Sequence, residues 1–275
     1  MVPWRPVAEP RLNRATVEPP DMPRYPAGAM IAVISPAKTL DYDSPLPPLD
    51  PTEPRLAAEA ATLARSAARL GAKRLGDLMR ISPALATLNA QRFRDFADAP
   101  ARPAMFAFAG DVYTGLDAAT LEPPAIAYAQ DHLRMLSGLY GLLRPLDAMR
   151  PYRLEMGTRW APRKDRLTDW WQDRIADLLA DDVAAEGSGT ILNLASKEYW
   201  AAVDGRLPAG IRAIAVDFRD GGRFVSFHAK KARGLMARWL VEHRVATVDD
   251  MKAFDSDGYA FVAADSDDTR WTFAR

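Results

Sequence analysis

The sequence predicts an α+β fold, a single domain in which a mixed central β-sheet is flanked by helices. Short apolar segments such as Met30–Ile34 and Thr190–Leu194 are typical of buried strands. Helical segments lie between them, but without the regular strand–helix alternation of a doubly wound sheet. No linker-like stretch divides residues 30–275, so we expect one domain there.

Residues 1–29 are predicted to be an unfolded, Pro-rich extension that precedes this domain. They contain seven prolines and no hydrophobic periodicity. They also lack the apolar core of a secretory signal peptide. We therefore expect the folded chain to begin with the strand at Met30.

Local start and stop signals define the remaining elements in chain order. Ser35-Pro36 ends the first strand, because proline cannot donate a hydrogen bond to a neighbouring strand. Ser82 and Pro83 are typical of a helix N-cap and first turn. Asp220-Gly221-Gly222 indicates a hairpin turn between two strands. The predicted helices are 52–70, 84–96, 123–136, 165–185, 229–243 and a short one after Thr247, and the predicted strands are 30–34, 104–109, 190–194, 211–218, 224–228 and 259–262.

Composition excludes several classes of protein. The 36 basic and 36 acidic residues cancel, which excludes a bulk polycation. The absence of cysteine excludes disulfides and thiolate metal sites, and it fits the cytoplasm, where we expect the protein. The three histidines have no metal-ligand spacing and no hydrolase motif is present, so we expect no metal, no cofactor and no catalytic residue. No apolar run is long enough to span a membrane, and we expect no membrane partner.

Charge is nevertheless segregated along the chain. Residues 134–166 contain eight basic and three acidic residues, and residues 223–244 contain six basic residues and one acidic residue. Residues 249–268, by contrast, contain seven acidic residues and one lysine. Two basic segments that meet in space form a positive cleft, the electrostatic footprint of a phosphate-rich partner. We expect such a cleft.

The segment Gln130–Gly157 is predicted to contain a helix-hairpin-helix-like element. A helix is expected to end near Leu136, and Gly138 and Gly141 then form a tight turn whose backbone N–H groups face a phosphate. Nearby charge is supplied by Arg134, Arg144, Arg150 and Arg153. The alternative is an ordinary packed turn, in which the glycines serve the backbone alone.

Further candidates for phosphate binding are basic residues next to strand ends. Lys38 follows the first strand, and Lys197 lies at the start of a predicted helix, where the helix dipole suits an anion. Lys230, Lys231 and Arg233 lie close together on a predicted helix, and a bound anion would relieve their mutual repulsion. For each of them the alternative is a solvated surface charge.

Three other polar residues, Asp111, Tyr113 and Glu155, are candidates for the same cleft. Asp111 and Tyr113 lie between glycines at a strand end, which is a common position for site residues. Phosphate binding alone does not require acid and phenol groups next to the lysines. They leave open a second class of function, an enzyme that acts on a phosphorylated or nucleotide-like small molecule.

Six motifs follow one another in a fixed order along residues 30–275. They are Ser35–Asp41, Leu78–Ser82, Gly110–Leu116, His132–Gly157, Asn193–Ser196 and Lys230–Met236. In this order they resemble the YaaA family of bacterial peroxide-stress proteins. The resemblance implies a cytoplasmic protein of the hydroperoxide and oxidative stress response that limits free iron and oxidative DNA damage, and it favours DNA binding without catalysis over an enzyme. It also implies binding of duplex or branched DNA, with low sequence specificity, through a positive cleft and a helix-hairpin-helix element.

Overall fold

The structure, a computed structural model, describes residues 29–275. The prediction of an unfolded extension therefore falls outside the described residues, apart from Ala29, which is buried. The strands are β1 Ile31–Ile34, β2 Thr39–Leu40, β3 Arg102–Pro103, β4 Phe108–Ala109, β5 Leu133–Ser137, β6 Gly141–Leu143, β7 Ala148–Met149, β8 Thr190–Asn193, β9 Arg212–Arg219, β10 Ala260–Phe261 and β11 Arg270–Ala274. The α-helices are α1 Ala57–Ala68, α2 Gly71–Met79, α3 Pro83–Arg94, α4 Ala104–Ala107, α5 Asp111–Leu116, α6 Pro123–His132, α7 Leu167–Trp171, α8 Arg174–Glu186, α9 Lys197–Trp200 and α10 Ser226–His243.

Seven of these strands form one mixed sheet in the order β10–β11–β9–β8–β1–β5–β6. The five inner strands, from β11 to β5, run parallel, whereas β10 and β6 pair antiparallel at the two edges. Two small antiparallel ladders, β2 with β4 and β3 with β7, lie outside this sheet. The predicted single domain, with a mixed central sheet flanked by helices, is confirmed.

Strand β1 lies at the centre of the hydrophobic core. All four of its residues, Ile31–Ile34, are completely buried. A strand covered on both faces has a continuous apolar sequence, which is why the sequence identifies it. A single cluster of buried apolar side chains extends from Ala29 to Phe273, and helices α6, α8 and α10 pack against β1 within it.

The helix predictions are correct where a local cap decides the start. Helix α3 begins as expected, because Ser82 accepts a hydrogen bond from the N–H of Leu85 at 3.4 Å. The helix expected after Thr52 begins only at Ala57, because the Thr52 hydroxyl donates instead to Asp147 at 2.6 Å. The single helix expected over 165–185 is two, α7 and α8, since Gln172 takes a φ of 44° between them.

Two predicted strands are wrong. Residues 104–107 form the single turn α4, and only Phe108–Ala109 is extended, because a short apolar run does not distinguish a strand from a buried helix. Residues 224–228 do not form a strand, and α10 begins at Ser226. The expected turn forms at Asp220–Arg223, but β9 already has β8 and β11 as neighbours, so no edge remains for a hairpin partner.

The predicted helix-hairpin-helix element is also wrong, since this segment is a β-hairpin. Helix α6 ends at His132, and the chain continues as β5, which pairs with β1 in the sheet. Strands β5 and β6 pair antiparallel, with Ser137 opposite Gly141, and every residue of both strands is buried. Pairing with the buried sheet overrides the helical tendency of the sequence.

Candidate functional site

The candidate site lies at the carboxyl ends of the parallel strands. The chain passes from β1 to β5 on one side and later returns as β8 on the other side of β1. Such a switch in strand order leaves a crevice in which open α/β sheets commonly bind ligands. Ser35 follows β1 and Ser196 follows β8, and the Oγ of Ser35 accepts a hydrogen bond from the N–H of Ser196 at 2.9 Å. This bond joins the two loops at the switch point.

Helices α5 and α10 cross beside these loops with their backbones in direct contact. A Cβ atom on Gly115 would lie 2.2 Å from the carbonyl oxygen of Lys231. A Cβ atom on Gly234 would lie 1.8 Å from the carbonyl oxygen of Val112. Because the two glycines permit this approach, Lys230 of α10 lies 3.9 Å from Asp111 of α5, measured from Nζ to Oδ2.

A cleft of about 520 Å³, here called the basic cleft, opens next to this crossing. Its basic side chains come from four separate segments and are Lys197, Arg219, Lys230, Arg233 and Arg270. Among the described residues, Asp217 is the only acidic one in its lining. A second lobe of about 370 Å³ shares Lys197, Asp217, Arg233 and Arg270 with it and adds Asp204. Positive charge therefore dominates the cleft.

Three of these five cations have acidic partners and two form no ion pair with any described residue. Lys230 lies 3.9 Å from Asp111, as described above. Arg270 contacts Asp217 at 2.7 Å, and Arg219 lies 3.7 Å from Asp265. Among the residues that the structure describes, neither Lys197 nor Arg233 forms an ion pair. The Nε of Arg233 is buried and has no hydrogen-bond partner in the described part of the chain, and burial lowers the pKa of its guanidinium. Two of the five cations therefore have no direct ion pair within residues 29–275, and the single aspartate of the lining, Asp217, is already bonded to Arg270.

The first turn of α10 adds partial positive charge to the basic cleft. Ser226, its first residue, lines the cleft. Its N-cap residue Val225 has no side chain that accepts a hydrogen bond from the first turn. The free N–H groups of a helix start favour an anion.

Lys38, Arg153 and Glu155 form a separate charged cluster. One oxygen of Glu155, Oε1, lies 3.0 Å from Arg153 and 3.6 Å from Lys38. The other oxygen, Oε2, is buried and has no hydrogen-bond partner within residues 29–275. None of the three residues lines the basic cleft.

Tyr113 belongs to a buried polar framework beneath the loops. Its hydroxyl donates a hydrogen bond to the carbonyl oxygen of Ser35 at 3.2 Å. Burial raises the pKa of Tyr113 well above its ordinary value. Tyr152, whose hydroxyl is 2.6 Å from that of Ser137, has a raised pKa for the same reason. These phenols are neutral at physiological pH and hold the loops in place.

The structure keeps the basic residues of the β-hairpin region away from the cleft. Arg134 is buried against Asp182, 2.7 Å away. Arg144 is bonded to Asp147 at 2.9 Å. The Nε of Arg150 donates to a backbone carbonyl at 3.1 Å. These three arginines do not line the basic cleft, and each is bonded to a partner within the fold, while phosphate binding by residues 134–166 stays a prediction.

The two candidate glycines of the hairpin also lie inside the fold. A Cβ atom on Gly138 would lie 2.0 Å from the carbonyl oxygen of Leu154. Gly141 has a φ of 70°, which favours glycine, and its backbone packs against Trp171. Neither glycine faces solvent. Both therefore serve backbone packing, as in the ordinary packed turn that was the alternative to phosphate binding. Lys231 points away from the cleft, toward Asp257 at 3.6 Å.

Lys197, Lys230 and Arg233 are thus the predicted residues that the structure brings together. Arg219 and Arg270 also line the cleft, and neither was predicted from the sequence. Arg219 ends β9 and lies on the same face as Asp217, so strand alternation would have found it. Arg270 starts β11, whose place next to β9 depends on tertiary pairing that no local signal reveals.

Neither a metal site nor a membrane span is found in the described part of the chain. No group of three or more His, Asp or Glu residues there is arranged to hold a metal ion. No helix there is both long enough and apolar enough to cross a membrane.

The fold and the cleft define a single-domain protein with an anion-attracting site at the carboxyl edge of a mainly parallel sheet. Comparison with known sequences then identifies its family. The family described as "Peroxide stress protein YaaA" matches residues 30–265, and the chain belongs to it. The resemblance noted in the sequence is confirmed.

Several curated relatives are similar over nearly their whole length, and each is described as a UPF0246 protein. The one from Rhizorhabdus wittichii is 58% identical over 251 residues, which cover 90% of this chain and 99% of the relative. The one from Idiomarina loihiensis is 50% identical over 254 residues, with 90% and 98% covered. The one from Aliivibrio fischeri is 47% identical over 257 residues, again with 90% and 98% covered.

Proposed function

We propose that this member of the family binds DNA by its phosphate groups, and that the basic cleft is the binding site. The observation that supports this most strongly is the imbalance of charge in the cleft. Five basic side chains converge there around one aspartate, and two of them form no ion pair with any described residue. Phosphate oxygens are the anions that such a surface attracts most strongly.

The chemistry of Arg233 fits a phosphate better than solvent. Its guanidinium is partly buried and its Nε has no hydrogen-bond partner in the described structure. A guanidinium donates in a planar fork that matches two phosphate oxygens. Contacts to phosphate carry no sequence information, so we expect low sequence specificity, on duplex or branched DNA.

The proposed activity agrees with the stress response of the family. A protein that covers the DNA backbone during peroxide stress is in place to limit oxidative DNA damage. The resemblance also implies a role in limiting free iron, and we include this role in the proposed function. DNA binding is the part for which the cleft offers a physical basis.

The second candidate function is that of an enzyme that acts on a phosphorylated or nucleotide-like small molecule. Two observations favour it: the volume of about 520 Å³ lies in the range of small-molecule pockets, and Glu155 has a buried carboxylate oxygen without a partner. However, Lys38, Asp111, Tyr113 and Glu155 do not line the cleft. Of these groups, all within the described residues, only Asp111 forms an ion pair with a residue of the cleft, Lys230 at 3.9 Å, so the acid–base groups do not converge on one site and we prefer DNA binding.

A titration of duplex and four-way-junction DNA across a range of salt concentrations tests the proposal. Each phosphate contact contributes about 0.9 to the slope of log affinity against log salt. The double variant Lys230→Ala/Arg233→Ala should therefore bind both DNAs more weakly and reduce that slope by roughly one to two.

A matched control is Arg212→Ala. Arg212 is exposed at the opposite, amino end of β9, far along the strand from Arg219. Its replacement should leave affinity and slope unchanged. If the double variant bound DNA as tightly as the unmodified protein, or if the control lost as much affinity as the double variant, the cleft would not be the DNA-binding site.

A further inference from the structure

Two aromatic side chains are exposed beside the basic cleft. Phe224 is 62% exposed and Phe227 is 59% exposed, with Val225 between them at 37%. They are the only aromatic residues among the large exposed apolar side chains of residues 29–275. Single exposed apolar residues are ordinary, but a cluster of three next to one charged cleft indicates a binding surface.

The segment that carries Phe224 is held firmly on the sheet. Asp220 and Arg223 exchange two backbone hydrogen bonds of 2.8 and 3.0 Å across the glycine turn. The N–H of Gly221 donates to the carbonyl oxygen of Arg275 at 2.9 Å, and the Asp220 carboxylate contacts Arg275 at 2.9 Å. Phe224 follows this turn directly, and α10 begins two residues later at Ser226. The backbone of Phe224 is therefore held between a hydrogen-bonded turn and a helix.

Both aromatic rings are adjacent to cations of the basic cleft. Phe224 lines the cleft together with Arg219, Lys230 and Arg233. Phe227 lies in the first turn of α10, three residues before Lys230, and residues at this spacing are neighbours on a helix surface. An apolar ring beside unneutralised positive charge suits a ligand with one flat aromatic part and one anionic part.

We propose that Phe224 and Phe227 stack against unpaired bases, so that the ligand of the cleft is a nucleotide whose base is free of a partner strand. The phosphate of that nucleotide lies against Lys230 and Arg233. This inference rests on the proposed phosphate-binding function and specifies the part of the nucleic acid that the cleft accepts.

An unpaired base fits this surface, whereas a base within a duplex does not. Bases in a duplex are covered by their neighbours above and below, and only their edges face the grooves. A base in a single strand, in a bulge or at a branch point exposes its face for stacking on an aromatic side chain. A free mononucleotide has the same two chemical parts, so the experiment includes it.

The test compares four probes by fluorescence anisotropy or competition with the full-length protein. They are a twelve-nucleotide thymidine strand, an abasic strand with the same number of phosphates, a twelve-base-pair duplex and thymidine monophosphate. We expect the thymidine strand to bind more tightly than the abasic strand. Stacking lost by alanine substitution corresponds to roughly a 5- to 150-fold loss of affinity per base.

The variants Phe224→Ala and Phe227→Ala should weaken binding of the thymidine strand by that factor and leave the abasic strand unchanged. Phe224→Trp should restore the affinity, and the fluorescence of the new indole should be quenched when the strand binds. Because both side chains project from the surface, circular dichroism should show unchanged folding. Leu88→Ala, at an exposed apolar residue of α3, is the matched control and should change nothing.

The outcomes separate this inference from the function on which it rests. Equal affinity for the thymidine and abasic strands, with no effect of the phenylalanine variants, would overturn stacking while phosphate binding stands. No binding of any probe would overturn both. A change in oligomeric state of the phenylalanine variants without a change in strand binding would assign the patch to a protein contact and overturn the inference. Binding of thymidine monophosphate as tight as that of the strand, and dependent on Phe224, would support a mononucleotide as the ligand.

Discussion

Gly234→Ala tests whether the contact between α5 and α10 determines the stability of the domain. In an ordinary helix interior this substitution stabilises by about 1 kcal/mol, because alanine has the higher helix propensity. Here the added Cβ atom would lie 1.8 Å from the carbonyl oxygen of Val112 and 2.8 Å from the N–H nitrogen of Leu116. Both neighbours are backbone atoms, which cannot rotate away.

The cost follows from this geometry. The helices must separate by roughly 1.5 Å to bring the new methyl group to van der Waals distance, and their packing is lost over that gap. Overpacking typically costs about 1–3 kcal/mol and sometimes more, and this case lies at the upper end because neither side can yield. After subtracting the gain in propensity, we expect a net loss of about 2 kcal/mol.

Thermal unfolding followed by circular dichroism measures this loss. For a domain of this size, 2 kcal/mol corresponds to a decrease in Tm of about 4–8 °C. Gly76→Ala is the matched control, since Gly76 also lies within a helix and its added Cβ atom would lie 3.3 Å from the methyl group of Ala86, which need move by only a few tenths of an ångström, and 3.8 Å from the carbonyl oxygen of Ile81. That control should melt at the same temperature or slightly higher. A Gly234→Ala protein as stable as the control would refute the reasoning.

Two further predictions concern residues outside the cleft. Gly138→Ala should lower the free energy of unfolding in urea by about 2 kcal/mol, because its Cβ atom would lie 2.0 Å from the carbonyl oxygen of Leu154, and an unchanged value would contradict this. Burial alone would raise the pKa of Asp182, but hydrogen bonds from Arg134 and Arg55 outweigh it and hold the pKa below its usual value. The Asp182 carboxylate therefore stabilises the fold above its unfolded pKa of about 3.9, and this contribution is lost as the pH falls through the folded pKa. Asp182→Asn should thus cost about 3–5 kcal/mol at pH 7 and clearly less at pH 3, whereas an equal cost at both pH values would contradict the assignment.

Sequence reasoning predicted the fold where a local signal and the tertiary environment agree. Strand β1 is buried on both faces and its sequence is continuously apolar, and the equally buried β8 has an apolar centre, Ile191-Leu192, between Thr190 and Asn193. The predictions failed where pairing between strands that are distant in the sequence determines the structure. The segment 224–228 has a strand-like sequence, but the two edges of β9 are occupied by β8 and β11, and this depends on residues far away in the chain.

The same distinction applies to the candidate site. Lys197, Lys230 and Arg233 were identifiable because they follow strand ends or share one helix face. Arg134 resembled them in sequence, but its partner Asp182 lies 48 residues further along, so no local pattern shows that its charge is already neutralised. A basic stretch therefore predicts a binding surface only after its internal ion pairs are known.

The position of β1 has a consequence for how the chain folds during synthesis. It is the first strand of the sheet to leave the ribosome, yet it pairs with β5 and β8, and the latter begins at Thr190. At about 5–20 residues per second, the four apolar residues of β1 wait for roughly ten to thirty seconds before both of their neighbours exist. During that interval an apolar strand has unpaired edges, which is the condition that promotes aggregation. The complete burial of β1 in the finished protein thus has a cost for the nascent chain, and chaperone dependence should be highest until residue 193 has emerged.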